Sequence, residues 1–172
     1  MEGKMKKVAL FIAYQGFRDE EYAEPKRVLE AAGIKVDTVS TALGKARGKI
    51  KITADVDKLV KDVRPEEYSC LALVGGPGAL EQLDTPEIHG LFSGFLASGK
   101  PIAAICISPV ILGRAGLLKG RKATVWEGGA EELKKAGAVY TGNGVEIDGK
   151  IITADGPASA AEYGRAIVEM IK

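Results

Sequence analysis

Histidine, asparagine, glutamine and cysteine are scarce in this chain of 172 residues. His89, Asn143, Gln15 with Gln82, and Cys70 with Cys106 are the full complement. Two cysteines without close spacing supply neither a disulfide framework nor a metal motif, and a single histidine argues further against zinc. An excess of charge of one sign is also missing. The formal net charge is +1, which gives no bulk electrostatic case for nucleic acid. No apolar run approaches the length of a membrane span. Lys4, Lys6 and Lys7 ahead of the apolar residues 8–14 imitate a short signal peptide, but Gln15-Gly16-Phe17-Arg18-Asp19 follows with no small-residue cleavage pattern. The run therefore reads as a first strand, and the protein as cytoplasmic. Few Asn, Gln and Cys beside many Lys and Glu is a bias shared with proteins from hot environments.

What is present is alternation. Strand patterns at 8–14, 35–40, 69–74 and 102–105 are interleaved with helical patterns at 19–32 and 85–98, the first stopped by Gly33. Residues 48–52 alternate like an edge strand, with lysines that discourage edge pairing. Short strands are expected near 123–125, 139–141, 145–148 and 150–153, with a helix at 130–136 and a last helix from about 157 to 171. This pattern predicts one α/β domain over residues 1–172: a doubly wound, mostly parallel sheet with helices on both faces, of flavodoxin-like type. In such folds a site lies beyond the carboxyl ends of the strands.

One strand end carries chemistry. Lys100-Pro101-Ile102-Ala103-Ala104-Ile105 reads as a strand covered on both faces, and Ser108-Pro109 reads as a helix start with Ser108 as cap. Cys106 lies between them, at a strand-to-helix turn of the nucleophile-elbow kind, where a helix N-terminus favours thiolate. A free cysteine is ordinarily a small buried hydrophobe; Cys70, inside a strand pattern with no turn beside it, fits that description, and Cys106 does not. Gly75-Gly76-Pro77-Gly78 ends another strand. It lacks the Lys-Ser or Lys-Thr of a phosphate loop and the spacing of a dinucleotide fingerprint. A Gly76 amide together with the Ile107 amide would form an oxyanion hole. Asp19, Glu20 and Glu24 read as a solvated helix N-terminus.

Glu21 four residues before Pro25, a strand ending in Gly75-Gly76, and Ala104-Ile105-Cys106 followed by Pro109 together resemble the ThiJ/PfpI superfamily. The similarity spans nearly the whole chain, including Gly33-Ile34-Lys35-Val36, Lys119-Gly120-Arg121-Lys122, Asp148-Gly149 and Asp155-Gly156-Pro157. The resemblance implies Cys106 as nucleophile, Glu21 as the carboxyl group that meets its sulfur, and Gly76 and Ile107 as amide donors. Gly75, Ser108 and Trp126 complete the candidate pocket, and Tyr22 is a second aromatic candidate for its wall. A charged Glu21 would repel the thiolate, so the assignment requires a raised Glu21 pKa.

The departures narrow the function. Protease-type members carry a histidine immediately after the nucleophile, where this chain has Ile107. Glyoxalase-like members carry one in the segment that here reads Thr124-Val125-Trp126-Glu127. Glu81, the acidic residue nearest the Gly-Gly pair, stands one position too far along. His89 reads as a surface or helix-packing residue. Loss of the histidine removes the general acid of Cys–His acyl transfer. The leading expectation is a cysteine-dependent glyoxalase- or deglycase-like or hydrolytic enzyme acting on small reactive carbonyls, with no cofactor and no metal. The alternatives are a redox-responsive stress protein oxidised at Cys106 and an intracellular cysteine peptidase. The resemblance also implies a homodimer or higher homo-oligomer, with a small-molecule carbonyl or oxidant as partner and neither nucleic acid nor membrane.

Overall fold

A computed structural model describes residues 5–172, so Lys4 of the basic stretch lies outside the described residues. In chain order the elements are β1 (Lys7–Phe11), β2 (Gln15–Phe17), α1 (Asp19–Ala31), β3 (Lys35–Ser40), β4 (Gly44–Gly48), β5 (Thr53–Val56) and β6 (Lys58–Leu59). Next come β7 (Cys70–Leu73), α2 (Ala79–Leu83), α3 (Pro86–Ala97), β8 (Ile102–Ile105) and α4 (Pro109–Arg114). The chain closes with β9 (Lys122–Ala123), α5 (Ala130–Lys135), β10 (Val139–Tyr140), β11 (Val145–Asp148), β12 (Ile151–Ala154) and α6 (Ala160–Ile171).

Seven strands form the central sheet in the order β11-β12-β8-β7-β1-β3-β6. All neighbours are parallel except β11 with β12. The expected doubly wound α/β architecture is therefore present. Its strands are apolar on both faces because both faces are covered. Val8, Leu10, Cys70, Ala72, Ala103 and Ile105 point into one apolar layer, shared with Tyr163 and Ile167 of α6. Ala9, Phe11, Leu71, Leu73, Ile102 and Ala104 point into the other, shared with Phe92 and Phe95 of α3. The chain leaves β1 for β3 on one side, then returns to β7 on the other. That reversal opens a crevice at the carboxyl ends of β1 and β7, the place where such sheets bind ligands.

Several local expectations are corrected. The apolar run 8–14 does not continue as one strand: β1 ends at Phe11, and Gln15–Phe17 pairs with β4 in a separate three-stranded sheet. Residues 49–52 are not an edge strand but the turn between β4 and β5. The reason is Asp19. Its buried carboxylate accepts from the backbone N–H groups of Ile50, Lys51 and Ile52 at 3.1, 2.8 and 2.9 Å, which holds those amides off any strand ladder. Asp19 is thus an internal loop anchor rather than a solvated residue. Ser108 does not cap α4. It is already helical (φ −66°, ψ −23°), and its buried hydroxyl donates to the Val74 carbonyl at 2.8 Å, tying the Cys106 turn to the end of β7. Thr85 does cap α3, accepting from Ile88 N–H. Among the described residues no helix is long and apolar enough to cross a membrane.

Helix α1, which carries Glu21, is seated on α6 through a glycine. A Cβ at Gly164 would stand 2.9 Å from Pro25 Cα and 3.1 Å from Val28 Cβ. Backbone cannot retreat as a flexible side chain can, so Gly164→Ala should push the helices apart and destabilise the fold by about 1–3 kcal/mol, the usual cost of overpacking. Thermal unfolding checks this: an unchanged melting temperature would show that α1 and α6 are not locked at this point.

Candidate active site

Three strand ends converge at the crevice. Strand β8 stops at Ile105, and the chain must turn into α4 within three residues. Cys106 makes that turn with φ 65°, and among the described residues it is the only non-glycine with positive φ. Such a conformation costs about 1–3 kcal/mol and persists only where its surroundings enforce it. Here Cys106 N–H donates to Ala154 O at 2.9 Å, and Cys106 O accepts from Trp126 N–H at 2.8 Å. The turn is clamped between β12 and the segment that carries Trp126.

Glu21 reaches the turn from below. It is fully buried, one turn into α1, where Pro25 lacks the N–H that would otherwise bond the Glu21 carbonyl. Its Oε1 accepts from Gly75 N–H at 3.1 Å, while Oε2 is buried with no hydrogen-bond partner among the described residues. Gly75 explains how the parts fit. A Cβ there would lie 2.5 Å from Glu21 Oε1 and 2.7 Å from Cys106 Cβ, so only glycine lets the acid, the thiol and β7 meet. Gly76, at φ 115°, lies against the backbone of Gly16, Phe17 and Arg18 with no space for a side chain. Among the described residues the amides of Gly76 and Ile107 donate to no carbonyl, and the Ile107 amide lies against the Cys106 sulfur.

The electrostatics follow from two acids in one buried space. Burial pushes Glu21 up to about 7, against the opposing pull of the Cys106 thiol, Arg18 and the Gly75 amide. Burial, then the Glu21 carboxylate, push Cys106 up to about 12, although the Ile107 amide and Arg18 favour its thiolate. The expectation of a thiol lowered by the helix terminus is therefore corrected: α4 has only six residues, and desolvation beside a carboxylate outweighs it. The two groups titrate as a pair. Between about pH 7 and about pH 12 the pair holds one proton and one negative charge, and the Cys106 sulfur and the Glu21 carboxyl group compete for that proton.

Above the sulfur is an open pocket of about 430 Å³, lined by Arg18, Lys49, Gly76, Pro77, Leu80, Cys106, Ile107, Trp126 and Pro157. This volume suits a small molecule. Of the candidate residues, the structure brings Cys106, Glu21, Gly75, Gly76 and Ile107 together and sets Trp126, half-exposed, on the pocket wall. Gly75 and Ser108 lie behind the thiol rather than on the wall. Tyr22 is not on the wall either: its ring packs edge-on against Phe17 and its hydroxyl bonds Thr38 Oγ1 at 2.7 Å in the core. Glu81 is exposed on α2, and His89 pairs with Asp84 at 2.7 Å on α3, away from the pocket lining. Cys70 is fully buried, which raises its thiol pKa far above the ordinary range. Among the described residues no cluster of three His, Cys, Asp or Glu side chains could hold a metal ion. Sequence reading missed Arg18, just before α1, and Lys49, in the β4–β5 turn, because both come to the pocket only through tertiary packing.

A carboxyl group whose folded pKa lies above its unfolded value of 4.5 contributes stability that is present below about pH 4.5 and lost as pH rises through about 7. Glu21→Gln removes that loss. At pH 8 the variant should be more stable than the wild type, by about 3 kcal/mol at most, with the difference vanishing near pH 4. Denaturant melts at the two pH values check this, and a variant equally destabilised at both would refute the burial of a titrating acid.

The family model described as the DJ-1/PfpI family matches residues 6–170 of the chain. A protein of uncharacterised function from Methanocaldococcus jannaschii is 44% identical over 172 residues, covering 98% of this chain and 84% of that one. A deglycase of Thermococcus kodakarensis is 31% identical over 163 residues, covering 95% of this chain and 98% of that one. The crystal structure of a ThiJ/PfpI domain protein from Brachyspira murdochii superposes with a TM-score of 0.94 at 31% identity, over 98% of this chain and 97% of that one. By the extent of the family match and the likeness of sequence and fold, the chain belongs to the DJ-1/PfpI family.

Proposed function

We propose that the protein is a cysteine-dependent enzyme that acts on small reactive carbonyls, in the manner of a glyoxalase or deglycase. The observation that carries this reading is the orphaned Glu21 Oε2, buried beside a thiol held at a strained turn on the floor of an open pocket. A buried oxygen with no donor is costly as a carboxylate. Protonated, the carboxyl group becomes a donor, and the neighbouring Cys106 sulfur, with which it interacts, is the acceptor assigned to it. The reactive form is then thiolate beside neutral carboxylic acid, the minor arrangement of the singly protonated pair, since Glu21 at about 7 gives up its proton more readily than Cys106 at about 12. Sulfur attacks the carbonyl carbon, the π pair moves to oxygen between the Gly76 and Ile107 amides, and Glu21 delivers its proton to that oxygen to give a hemithioacetal. The deglycase name of the Thermococcus relative supports the same chemical class.

A peptidase needs a general acid for the departing amine, and the chain's one histidine is committed to Asp84 elsewhere. A second reading is favoured by the Gly76 and Ile107 amides, which donate to no carbonyl among the described residues. They could equally hold the oxygens of an oxidised Cys106, which would make the protein a responder to peroxide. Mass spectrometry after peroxide treatment separates Cys106 from Cys70; equal oxidation of both would remove this reading.

Purified protein should convert methylglyoxal to lactate. In the hemithioacetal the Glu21 carboxylate takes the C1 proton and returns it to C2, which oxidises C1 to a thioester and reduces C2 to an alcohol within one molecule. Water then cleaves the S–C bond to release lactate and the thiol. Cys106→Ser should abolish turnover, and Glu21→Gln should lower kcat by about 10²–10⁴-fold, the range for a lost general acid–base. Alkylation of Cys106 should rise with a midpoint near pH 7, where the pair loses its first proton. In Glu21→Gln the buried thiol ionises alone, and the midpoint should move above the ordinary thiol range of about 8.5. An identical midpoint in both proteins, or turnover that survives Cys106→Ser, would refute the mechanism.

A further inference from the structure

The pocket above Cys106 is electrically one-sided. Two of its lining residues, Arg18 and Lys49, are cationic, and none is acidic. The two cations differ. Arg18 is held in a fork by Glu20 at 2.8 and 3.1 Å, so much of its charge is already compensated. Lys49 enters no ion pair among the described residues.

Lys49 is also held in place, unlike an ordinary surface lysine. Its N–H donates to Phe17 O at 2.7 Å, and the three residues after it are the ones whose amides Asp19 accepts. Burial alone would raise the Asp19 pKa, but the Ile52, Lys51 and Ile50 amides outweigh it and hold the carboxyl below its ordinary value. On the other side of Lys49, the place where Gly48 would carry a Cβ is taken by the Asp19 carboxylate. A buried charged side chain next to the start of α1 thus fixes the backbone on both sides of Lys49 and brings the lysine to the mouth of the thiol pocket. Neither Asp19 nor Lys49 has a part in the chemistry assigned to Cys106 and Glu21.

From this arrangement we infer that the substrate is an anionic carbonyl compound, a small aldehyde bearing a carboxylate or a phosphate, and that Lys49 is the residue that selects it. The inference rests on the reading of Cys106 as the reacting thiol. The anionic group sits at Lys49 while the aldehyde carbon meets the sulfur. The S–C bond forms, the C=O π pair becomes an O–H bond with the Glu21 proton, and no electrons are gained or lost. The anionic group passes through unchanged. Lys49 offsets the repulsion that a thiolate would otherwise exert on such a substrate.

Two alkylating reagents of the same chemistry and opposite charge type test this. Iodoacetate is an anion and iodoacetamide is neutral; both react with the same thiolate, so the ratio of their rate constants cancels the thiolate fraction. For Cys106 that ratio should exceed the ratio for N-acetylcysteine by about fivefold or more, the size of one partly screened charge contact. Lys49→Met should return it to the free-thiol value, and Lys49→Glu should drive it lower, with the iodoacetamide rate nearly unchanged in Lys49→Met. Inorganic phosphate and acetate are then added as competitors: whichever slows the iodoacetate reaction more, in the wild type and not in Lys49→Met, identifies the anion. A Cys106 that reacts readily with iodoacetamide but shows the free-thiol ratio, unmoved by Lys49→Met or by either competitor, overturns the inference and leaves the reading of the thiol standing. A Cys106 inert to both reagents overturns that reading itself.

Discussion

Two neighbouring acids, a fully buried carboxyl group and a half-buried thiol on the floor of an open pocket, set the terms for this site. A carboxylate and a thiolate side by side in a buried space repel each other, and neither is solvated well enough to hold its charge cheaply. Glu21 and Cys106 therefore act as one titrating unit. The contact exists because Gly75 contributes no side chain to the space between them, because α1 brings Glu21 in from one side of the sheet, and because Cys106 is held at φ 65° by bonds to Ala154 and Trp126.

The doubly wound sheet serves this contact. Its strands are apolar on both faces, so helices cover them and leave the carboxyl-terminal edge as the place where polar groups can gather. Chain reversal between β1 and β7 spreads the loops there. Gly76 and Gly78 pack against the backbone of residues 15–18 so tightly that a side chain at either is excluded. Gln82 reinforces the same junction: its amide accepts from Tyr14 N–H at 2.7 Å and donates to Gln15 O at 2.8 Å. The Gly76 amide is thereby held rigidly, which an oxyanion donor requires if it is to act without reorganising.

Charge is arranged in two layers around the sulfur. Beneath it lies the Glu21 carboxyl group, able to carry a proton. Above it lie Arg18, compensated by Glu20, and Lys49, which enters no ion pair among the described residues. The lower layer governs whether the thiol ionises, and the upper layer governs what approaches it. Asp19 and Glu21, two residues apart on one helix, thus serve different ends: one anchors the hairpin, the other faces the thiol.

Local sequence was enough for the parallel α/β architecture, the core assignment of Cys70 and the turn at Cys106. Each depends on neighbours along the chain: unbroken apolar runs make two-sided strands, and a strand followed at once by Ser-Pro leaves little choice of turn. The motif likeness drew Glu21, Gly76 and Ile107 together because the spacing of Glu21 from Pro25 and of Cys106 from Pro109 is written in the chain. Tertiary structure alone decided the rest. Residues 48–52 alternate like a strand, yet Asp19, some thirty residues away, claims their amides and makes them a turn. Ser108 has the sequence of a cap, yet the Val74 carbonyl takes its hydroxyl. The direction of the Cys106 shift was likewise not legible from a helix start, since desolvation and the nearness of a carboxylate are properties of the assembled interior. Lys49 belongs to the pocket only because a distant carboxylate holds its hairpin there, and no local pattern records a contact made through space.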